Sequence, residues 1–205
     1  MARNTLLAAT AAVAFCGSAA ARGWYVGLEA GANWTNDTGV RFYTTPAATP
    51  FDLTGRFDGG WVVIATVGYA MQNWRIEAEA AWRSNDKDQF TALPVSTGDL
   101  DGLTAMYNMT YAFPISPGLN LSLGGGAGLD YETLDIVNID ASDLNFAYQG
   151  IATLDYALSP TTELTVAYRY LRVLDPEFED NGIRYAFDDF SKHALTIGVR
   201  HTFAP

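Results

Sequence analysis

Apolar and polar residues alternate along most of this chain, most clearly in the run 74–83. The apolar face of that run consists of Trp74, Ile76, Ala78, Ala80 and Trp82. Its charged residues, Arg75, Glu77, Glu79 and Arg83, all lie on the other face. Side chains of a β-strand point alternately to opposite faces, so the run predicts a strand with one apolar and one charged side. A tryptophan near each end of the apolar face is typical of a strand that crosses a bilayer, because aromatic residues favour the two headgroup layers.

Seven other stretches repeat this alternation, and we predict eight strands in all. They comprise residues 23–34, 60–70, 74–83, 102–113, 119–131, 146–158, 163–172 and 192–203. The tight connections 71–73, 114–118 and 159–162 contain Pro, Gly, Ser and Asn, which favour turns. The remaining connections are long and polar and comprise residues 35–59, 84–101, 132–145 and 173–191. Tight turns that alternate with long loops predict an up-and-down meander.

The outward position of the apolar residues decides between a soluble and a membrane-embedded barrel. After residue 21 the chain has no run of roughly 18 apolar residues that could form a transmembrane helix, so a membrane-spanning chain must close its sheet. A soluble ligand-binding barrel would place its apolar face inside and its charges outside, which is the reverse. We therefore predict an all-β fold, an eight-stranded antiparallel up-and-down transmembrane β-barrel. Its predicted aromatic girdles contain Trp24, Trp34, Trp61, Tyr69, Trp74 and Trp82.

Residues 1–21 have the features of a cleavable secretory signal peptide. Arg3 precedes an apolar stretch that ends at Phe15, and small residues lead to an Ala-Ala-Ala cleavage site at 19–21. The alternative is a lipoprotein signal in which Cys16 accepts the lipid. The bulky Phe15 before it instead favours Cys16 as an ordinary residue of the apolar stretch. We expect residues 22–205 to form one barrel domain after cleavage.

All six acids of the predicted strands face the lumen, and so do five of their basic residues. The formal net charge of the chain is −11, which argues against a nucleic acid partner, and most of the acids fall in the predicted loops. The strand charges with inward parity are Glu29, Arg75, Glu77, Glu79, Arg83, Asp130, Asp155, Glu163, Arg169, Lys192 and Arg200. Side chains just fill an eight-stranded barrel, and buried charges persist when they are paired. We expect a charged network that plugs the lumen, with a narrow ion path as the alternative.

Three motifs carry a resemblance to a known family. They are Gly23-Trp24-Tyr25-Val26-Gly27 in the first strand, Gly68-Tyr69 before the first tight turn, and the Trp-Arg-x-Glu-x-Glu run after it. On these motifs the chain resembles the OmpA-type eight-stranded outer-membrane β-barrel family, with its opacity-type and small surface-antigen proteins. The resemblance covers residues 22–203. It implies the outer membrane of a Gram-negative bacterium, with extracellular loops and with periplasmic turns and termini.

The last predicted strand looks like the signal that the barrel-assembly machinery reads in this family. Its alternating residues are Leu195, Ile197, Val199, His201 and Phe203. His201 departs from the family, in which an apolar or aromatic residue is usual there, and Ala204-Pro205 follow the normally terminal Phe. The resemblance implies this machinery as a partner during insertion. It also implies a monomeric barrel surrounded by outer-membrane lipid and lipopolysaccharide.

The sequence leaves several functions open. Acidic residues of the last loop that could bind cations are Asp175, Glu177, Glu179, Asp180, Asp188 and Asp189. They lack the spacing of a calcium loop, and a solvated surface is the simpler interpretation. His193 and Ser191 share outward parity, but in the reverse order from the His-x-Ser pair of lipid A deacylases. We expect a structural or surface-interaction protein without catalytic residues or cofactor, with a small-solute or ion channel second and a lipid A-modifying enzyme third; no residue identifies a loop ligand.

Overall fold

The computed structural model describes most of the chain from Arg22 onward. The described residues are 22–36, 38–43, 51–90, 98–136, 139–174, 177–180, 183–187 and 190–203. Side chains are described for residues 22–36, 59–85, 101–133, 142–174 and 191–203. The predicted signal peptide lies outside the described residues.

The described residues form one antiparallel sheet that closes on itself. Its strands are β1 (Gly23–Thr35), β2 (Thr38–Tyr43), β3 (Phe51–Met71), β4 (Trp74–Phe90), β5 (Gly98–Ser116), β6 (Leu119–Ile136), β7 (Ile139–Ala157), β8 (Thr162–Val173), β9 (Glu177–Asp180), β10 (Ile183–Phe187) and β11 (Phe190–Thr202). Closure occurs because β1 pairs with both β3 and β11, so that β1, β3–β8 and β11 form an eight-stranded barrel. β2, β10 and β9 continue the sheet beyond β3. The predicted eight-stranded antiparallel barrel is confirmed. No helix among the described residues is long and apolar enough to cross a membrane.

Each barrel strand has a polar inner face and an apolar outer face. In β1, Tyr25 and Glu29 are buried inside the barrel, whereas Trp24 and Leu28 are exposed on its outside. The six predicted girdle residues are between 39% and 63% exposed, and they are Trp24, Trp34, Trp61, Tyr69, Trp74 and Trp82. This arrangement is inside out relative to a soluble protein, and it suits a barrel whose outer surface contacts lipid.

The two ends of the barrel are built differently. At one end, called the turn end here, short turns at Gln72–Asn73, Pro117–Gly118 and 158–161 join neighbouring strands. Gly118 has a φ of 80°, a backbone conformation that glycine adopts without strain. The turn predicted at 114–118 is shorter in the structure, because β5 continues through a bulge to Ser116. The opposite end is called the extended end.

The prediction that residues 35–59, 84–101, 132–145 and 173–191 are loops is wrong for much of their length. β3 already begins at Phe51, β4 runs to Phe90, and β6 and β7 together continue through most of 132–145. A strand that has left the bilayer core needs no apolar outer face, although its backbone ladder continues. The alternation that reveals the strands therefore fades before the strands end.

Strand length divides the barrel into a tall wall and a short wall. The tall wall consists of β3–β7, whose strands have 17 to 21 residues. The short wall consists of β8, β11 and β1, whose strands have 12 or 13 residues. A strand needs roughly 9–11 residues to cross a bilayer. The short wall therefore ends close to the girdle, whereas the tall wall continues well beyond it.

Candidate functional site

The lumen brings the predicted inward charges together in three clusters. Each of the eleven predicted residues lies on the inner face; Glu163 is half-buried and the other ten are buried. The turn-end cluster comprises Arg75, Asp155, Glu163 and Arg200. The middle cluster comprises Glu29, Glu77, Glu79 and Arg169. The extended-end cluster comprises Arg83, Asp130, Glu132 and Lys192.

In the turn-end cluster, two arginines and two carboxylates alternate in a ring. Arg75 Nη1 lies 2.7 Å from Asp155 Oδ2, and Arg75 Nη2 lies 2.8 Å from Glu163 Oε2. Arg200 Nη1 contacts the same two acids, Asp155 Oδ1 at 2.8 Å and Glu163 Oε2 at 3.2 Å. Asp155 also accepts hydrogen bonds from the hydroxyl groups of Ser122, Thr153 and Thr165. The cluster is balanced in charge, and each carboxylate contacts both arginines.

In the middle cluster, one arginine serves two carboxylates. Arg169 Nη1 and Nη2 donate to the two carboxylate oxygens of Glu29 at 2.7 and 3.0 Å. Arg169 Nε contacts Glu79 Oε2 at 3.2 Å. With Glu77 as the third acid, the cluster has a formal excess of negative charge. Paired forks of this kind are among the strongest side-chain contacts, because both partners are charged and the geometry is bidentate.

Neutral groups hold the remaining carboxylate oxygens of the middle cluster. The Tyr25 hydroxyl donates to Glu77 Oε2 at 2.7 Å. Asn108 Nδ2 donates to Glu77 Oε1 at 3.3 Å and to Glu79 Oε2 at 3.1 Å, so one amide links two acids. Gln149 Nε2 donates to Glu79 Oε1 at 3.2 Å and to Asn108 Oδ1 at 2.9 Å. These hydrogen bonds satisfy acids that would otherwise be costly to bury.

Two glycines provide the space for these neutral groups. A Cβ atom at Gly68 would overlap the ring of Tyr25, which reaches Glu77 across that glycine. A Cβ atom at Gly126 would overlap the side-chain amide of Asn108. The absence of a side chain at both positions therefore lets a polar neighbour cross the inner face to the carboxylates.

The extended-end cluster is organised around Asp130. Lys192 Nζ lies 2.7 Å from Asp130 Oδ2 and 2.5 Å from Glu132 Oε1. Arg83 donates to the Thr104 hydroxyl, which in turn donates to Asp130 Oδ1 at 2.6 Å. The sequence assignment of Glu132 to a loop is wrong, because β6 continues to Ile136 and carries Glu132 on its inner face.

Apolar side chains complete the inner face beside the charged clusters. One buried group contains Val62, Ile64, Ala81 and Ala194. A second buried group contains Met106, Ala147, Leu171 and Val173. These groups exclude water from the sides of the clusters, and ionic interactions strengthen where water is excluded.

Sequence reasoning missed the neutral residues that complete the lumen. Tyr25, Thr104, Asn108 and Gln149 share the inward parity of the charged residues, and they donate hydrogen bonds to carboxylates of the middle and extended-end clusters. The available signal was a polar side chain at an inward position of a strand. That signal identifies the face on which a residue lies, but not the group that it contacts.

The predicted assembly residues lie on the outer surface of β11 and just after it. Leu195, Ile197, Val199 and Phe203 are each about half exposed, and His201 is exposed beside them. His201 Nδ1 lies 3.0 Å from the Thr162 hydroxyl, and its ring packs edge-on against Phe203 with centroids 5.4 Å apart. The departure from an apolar residue at 201 is thus accommodated by a polar partner on one side and an aromatic ring on the other.

Ser191 and His193 have outward parity at the extended end, where Ser191 is buried and His193 is half-buried. The His193 Nδ1 atom lies 2.8 Å from the hydroxyl of Tyr168, and the Ser191 hydroxyl lies 2.8 Å from that of Tyr170. The His193 ring stacks on Trp34 with an interplanar angle of 4°. Each of the two residues therefore has its own tyrosine as hydrogen-bond partner.

The candidate cation-binding residues of the last loop lie outside the described residues or outside the described side chains. Asp175, Asp188 and Asp189 lie outside the described residues, and the side chains of Glu177, Glu179 and Asp180 lie outside the described side chains. Within the part of the chain that is described, no group of three His, Cys, Asp or Glu residues could hold a metal ion.

Comparison with known families identifies the barrel. The sequence matches the family described as outer membrane protein beta-barrel domain over residues 5–203. The chain belongs to this family. Membership places the protein in the outer membrane of a Gram-negative bacterium. No curated protein sequence matches the chain significantly.

Solved structures of other outer-membrane proteins share the fold of this family member. Neisserial surface protein A is 16% identical with a TM-score of 0.60, and the match covers 89% of this chain and 99% of that one. OprG from Pseudomonas aeruginosa is 15% identical with a TM-score of 0.65, covering 92% and 99%. AlkL, solved in lipid bilayers, is 14% identical with a TM-score of 0.51, covering 100% and 98%. At these identities the likeness establishes the fold.

The girdles of this outer membrane barrel fit the thickness of the membrane. Trp74 and Trp82 lie on the same strand, about 27 Å apart along it at about 3.4 Å per residue. At a tilt of about 40° this is about 21 Å across the membrane, close to the roughly 25 Å apolar band of such barrels. Aromatic contacts reinforce both girdles: Trp74 packs on Tyr111 with centroids 4.9 Å apart, and Trp61 packs on Trp82 at 5.5 Å.

Proposed function

We propose that this outer membrane barrel has a structural or surface-interaction role and that its charged network plugs the lumen. The observation that carries the proposal is the series of three buried charge clusters that follow one another along the lumen from the turn end to the extended end. Ionic contacts of 2.5 to 3.2 Å cross the lumen between strands on different sides of the barrel. A solute or hydrated ion would have to separate such pairs, and an uncompensated buried charge costs several kcal/mol.

The plug is tested by measuring the conductance of the purified protein in planar bilayers. We expect no stable unit currents from the wild-type barrel. Arg169→Ala removes the side chain that joins Glu29 to Glu79 and should allow current to leak through the middle of the lumen. Trp82→Ala, on the outer face, is the matched control and should remain silent. Stable large unit currents from the wild-type protein would contradict the plug.

A narrow cation path is the second candidate, and two observations favour it. The middle cluster has more acids than bases, which would attract cations. Some buried polar atoms of the lumen also have no hydrogen-bond partner among the described groups, including Gln149 Oε1, Arg200 Nε and Asn33 Oδ1. Water near these atoms would provide part of a path. Small wild-type currents with a strong preference for cations over anions would favour this function over the plug.

The proposed orientation places the turn end and both termini in the periplasm and the extended end outside the cell. This arrangement is usual for outer-membrane barrels, in which short turns face the periplasm. The only cysteine of the sequence is Cys16, within the predicted signal peptide. Pro160, in a short turn, and Asp101, towards the extended end, are both exposed. Single Pro160→Cys and Asp101→Cys variants can therefore be compared by labelling whole cells with a membrane-impermeant maleimide. We expect labelling at 101 and not at 160, and the reverse result would invert the orientation.

The proposal includes a monomer in contact with lipid and lipopolysaccharide, inserted by the barrel-assembly machinery, with no nucleic acid partner. The apolar outer surface on both walls of the barrel supports contact with lipid, because such a surface would aggregate in water.

A lipid A-modifying enzyme is the third candidate. Ser191 and His193 bond to different tyrosines, which does not provide the serine–histidine contact of a nucleophilic site. Mass spectrometry of lipid A after expression tests this, and loss of an acyl chain that His193→Ala restores would establish the enzyme.

A further inference from the structure

The three charged clusters of the lumen together contain more acids than bases. The turn-end cluster and the extended-end cluster each combine two acids with two bases. The excess of acids therefore lies in the middle cluster, where Arg169 is the base beside three carboxylates. Glu29 and Glu79 contact Arg169, whereas Glu77 is held by the neutral donors Tyr25 and Asn108.

This excess charge lies where the surroundings compensate it least. Glu77 and Glu79 lie midway between Trp74 and Trp82, the girdle residues of the same strand. All three acids of the middle cluster are only 3% to 5% exposed. Hydrogen bonds from neutral groups satisfy the carboxylate oxygens, but they leave the net charge of the cluster unchanged. Because an uncompensated buried charge is strongly destabilising, the cluster requires a further positive charge.

A buried oxygen atom without a partner lies in the same cluster. Gln149 is 4% exposed, and its Oε1 atom has no hydrogen-bond partner among the described groups. The nitrogen of the same amide donates to Glu79 Oε1 and to Asn108 Oδ1. Both of these atoms are acceptors, so they fix the orientation of the Gln149 amide and leave its oxygen without a donor. A buried oxygen in this state calls for a donor or a cation.

The oxygen atoms of this cluster suit a cation with a single charge. Among the described side chains, Glu79 Oε1 accepts one hydrogen bond, from Gln149, and Glu77 Oε1 accepts one, from Asn108 at 3.3 Å. Both atoms therefore keep lone pairs for a cation. Calcium needs six to eight oxygen ligands, and no group of three His, Cys, Asp or Glu residues in the described part of the chain could hold a metal ion. Two carboxylates and one amide oxygen fit a less demanding monovalent ion.

We propose that the middle cluster binds one alkali cation, sodium or potassium, through Gln149 Oε1 and the carboxylates of Glu77 and Glu79. The ion offsets part of the excess charge and gives the unpartnered oxygen a ligand. The inference rests on the proposed function, in which the charged network fills the lumen, and it makes the cation a structural part of the plug. An ion path differs from such a site, because conduction requires binding weak enough for the ion to leave.

The proposal is tested by comparing the stability of the full mature barrel in different chloride salts. Equilibrium unfolding in urea is measured in phosphatidylcholine vesicles at constant pH and ionic strength, with sodium, potassium or N-methylglucamine as the cation. N-methylglucamine is too large to enter the filled lumen. We expect a higher urea midpoint in sodium or potassium, which rises with the concentration of the ion and then saturates. The reason is that a ligand that binds the folded state stabilises it.

Three variants locate the effect. Gln149→Leu removes the unpartnered oxygen at similar volume, and Glu77→Gln removes one excess charge by a change of one atom. We expect each to weaken the apparent affinity for the cation roughly tenfold. Asp101→Asn neutralises an exposed acid and is the matched control, which should keep the wild-type affinity. Because the salts are compared within each variant, a general loss of stability does not affect the result, and Glu77→Gln suffices if Gln149→Leu does not fold.

Four results would overturn the proposal. Equal wild-type stability in all three salts would mean that no cation binds, and unchanged affinity in both Gln149→Leu and Glu77→Gln would place the ion elsewhere. An equal loss in Asp101→Asn would indicate screening of surface charge. Stabilisation by acid in N-methylglucamine, without a difference between salts, would mean that a proton compensates the cluster. Unit currents in planar bilayers would contradict the plug and not the salt effect, so the two failures are distinguishable.

Discussion

The turn-end and middle clusters of the lumen solve the same problem in different ways. In the turn-end cluster, Arg75 and Arg200 both contact both acids, so the loss of one arginine leaves the other in place. In the middle cluster, Arg169 alone joins Glu29 to Glu79, and neutral donors hold the rest. We infer that the loss of one charge destabilises a charge-balanced ring less than it destabilises a cluster that depends on a single cation.

The largest expected effect comes from removing one arginine from each cluster. Arg169→Ala leaves two buried carboxylates without a cation and should lower the free energy of unfolding by about 3–5 kcal/mol. Arg200→Ala should cost only about 1–2 kcal/mol, because Arg75 still contacts both acids of the ring. Equilibrium unfolding in urea from lipid vesicles, followed by tryptophan fluorescence, measures both values. Equal losses in the two variants would remove the distinction between the clusters.

A neutral substitution of Asp155 tests the ring from its acidic side. Asp155→Asn leaves Arg75 and Arg200 with Glu163 as their common partner, and we expect a loss of about 2–3 kcal/mol. Ser122→Ala, which removes one neutral donor to the same carboxylate, is the matched control and should cost about 1 kcal/mol. The same unfolding measurement applies. A larger loss in the serine variant would mean that hydroxyl groups, and not arginines, stabilise this acid.

The hydrogen bond from Tyr25 to Glu77 in the middle cluster depends on the space at Gly68. Gly68→Ala places a methyl group against the Tyr25 ring and should cost about 1–3 kcal/mol by displacing that ring from Glu77. Gly150→Ala is a matched control in a lipid-facing position, because an added Cβ atom there meets nothing within 4 Å. It should leave stability unchanged or raise it slightly. Urea unfolding measures both changes, and equal effects would show that Tyr25 adapts to the added methyl group.

The fold could be predicted from sequence because lipid enforces one rule on every spanning strand. Trp74, Ile76 and Trp82 must face outward, so Arg75 and Glu77 must face the lumen, and the structure shows this alternation. Outside the bilayer, outward-facing positions need not be apolar, so the alternation no longer marks the strand. The strand ends were therefore missed, and Glu132, just beyond the predicted end of its strand, was assigned to a loop.

The partners within the lumen could not be predicted, because parity gives the face of a residue and not its position around the barrel. Arg75 contacts Asp155, which is 80 residues away, and Arg169 contacts Glu29, which is 140 residues away. Such contacts depend on the stagger of all eight strands at closure. The neutral links were harder still, since nothing in the alternation distinguishes Asn108 from a polar residue without a role.

The smallest expected effect concerns Glu77, which lies in the middle cluster but is held by neutral donors. Glu77→Gln removes one negative charge from a cluster that has more acids than bases. The Tyr25 hydroxyl can still donate to the amide oxygen of the new glutamine side chain. The Asn108 amide must rotate to accept from the new side chain, which offsets part of the gain. We expect the free energy of unfolding to change by less than about 1 kcal/mol, in contrast to the larger loss for Asp155→Asn. A loss of similar size in both variants would mean that Glu77 depends on the distant arginines after all, and that the two clusters act as one network.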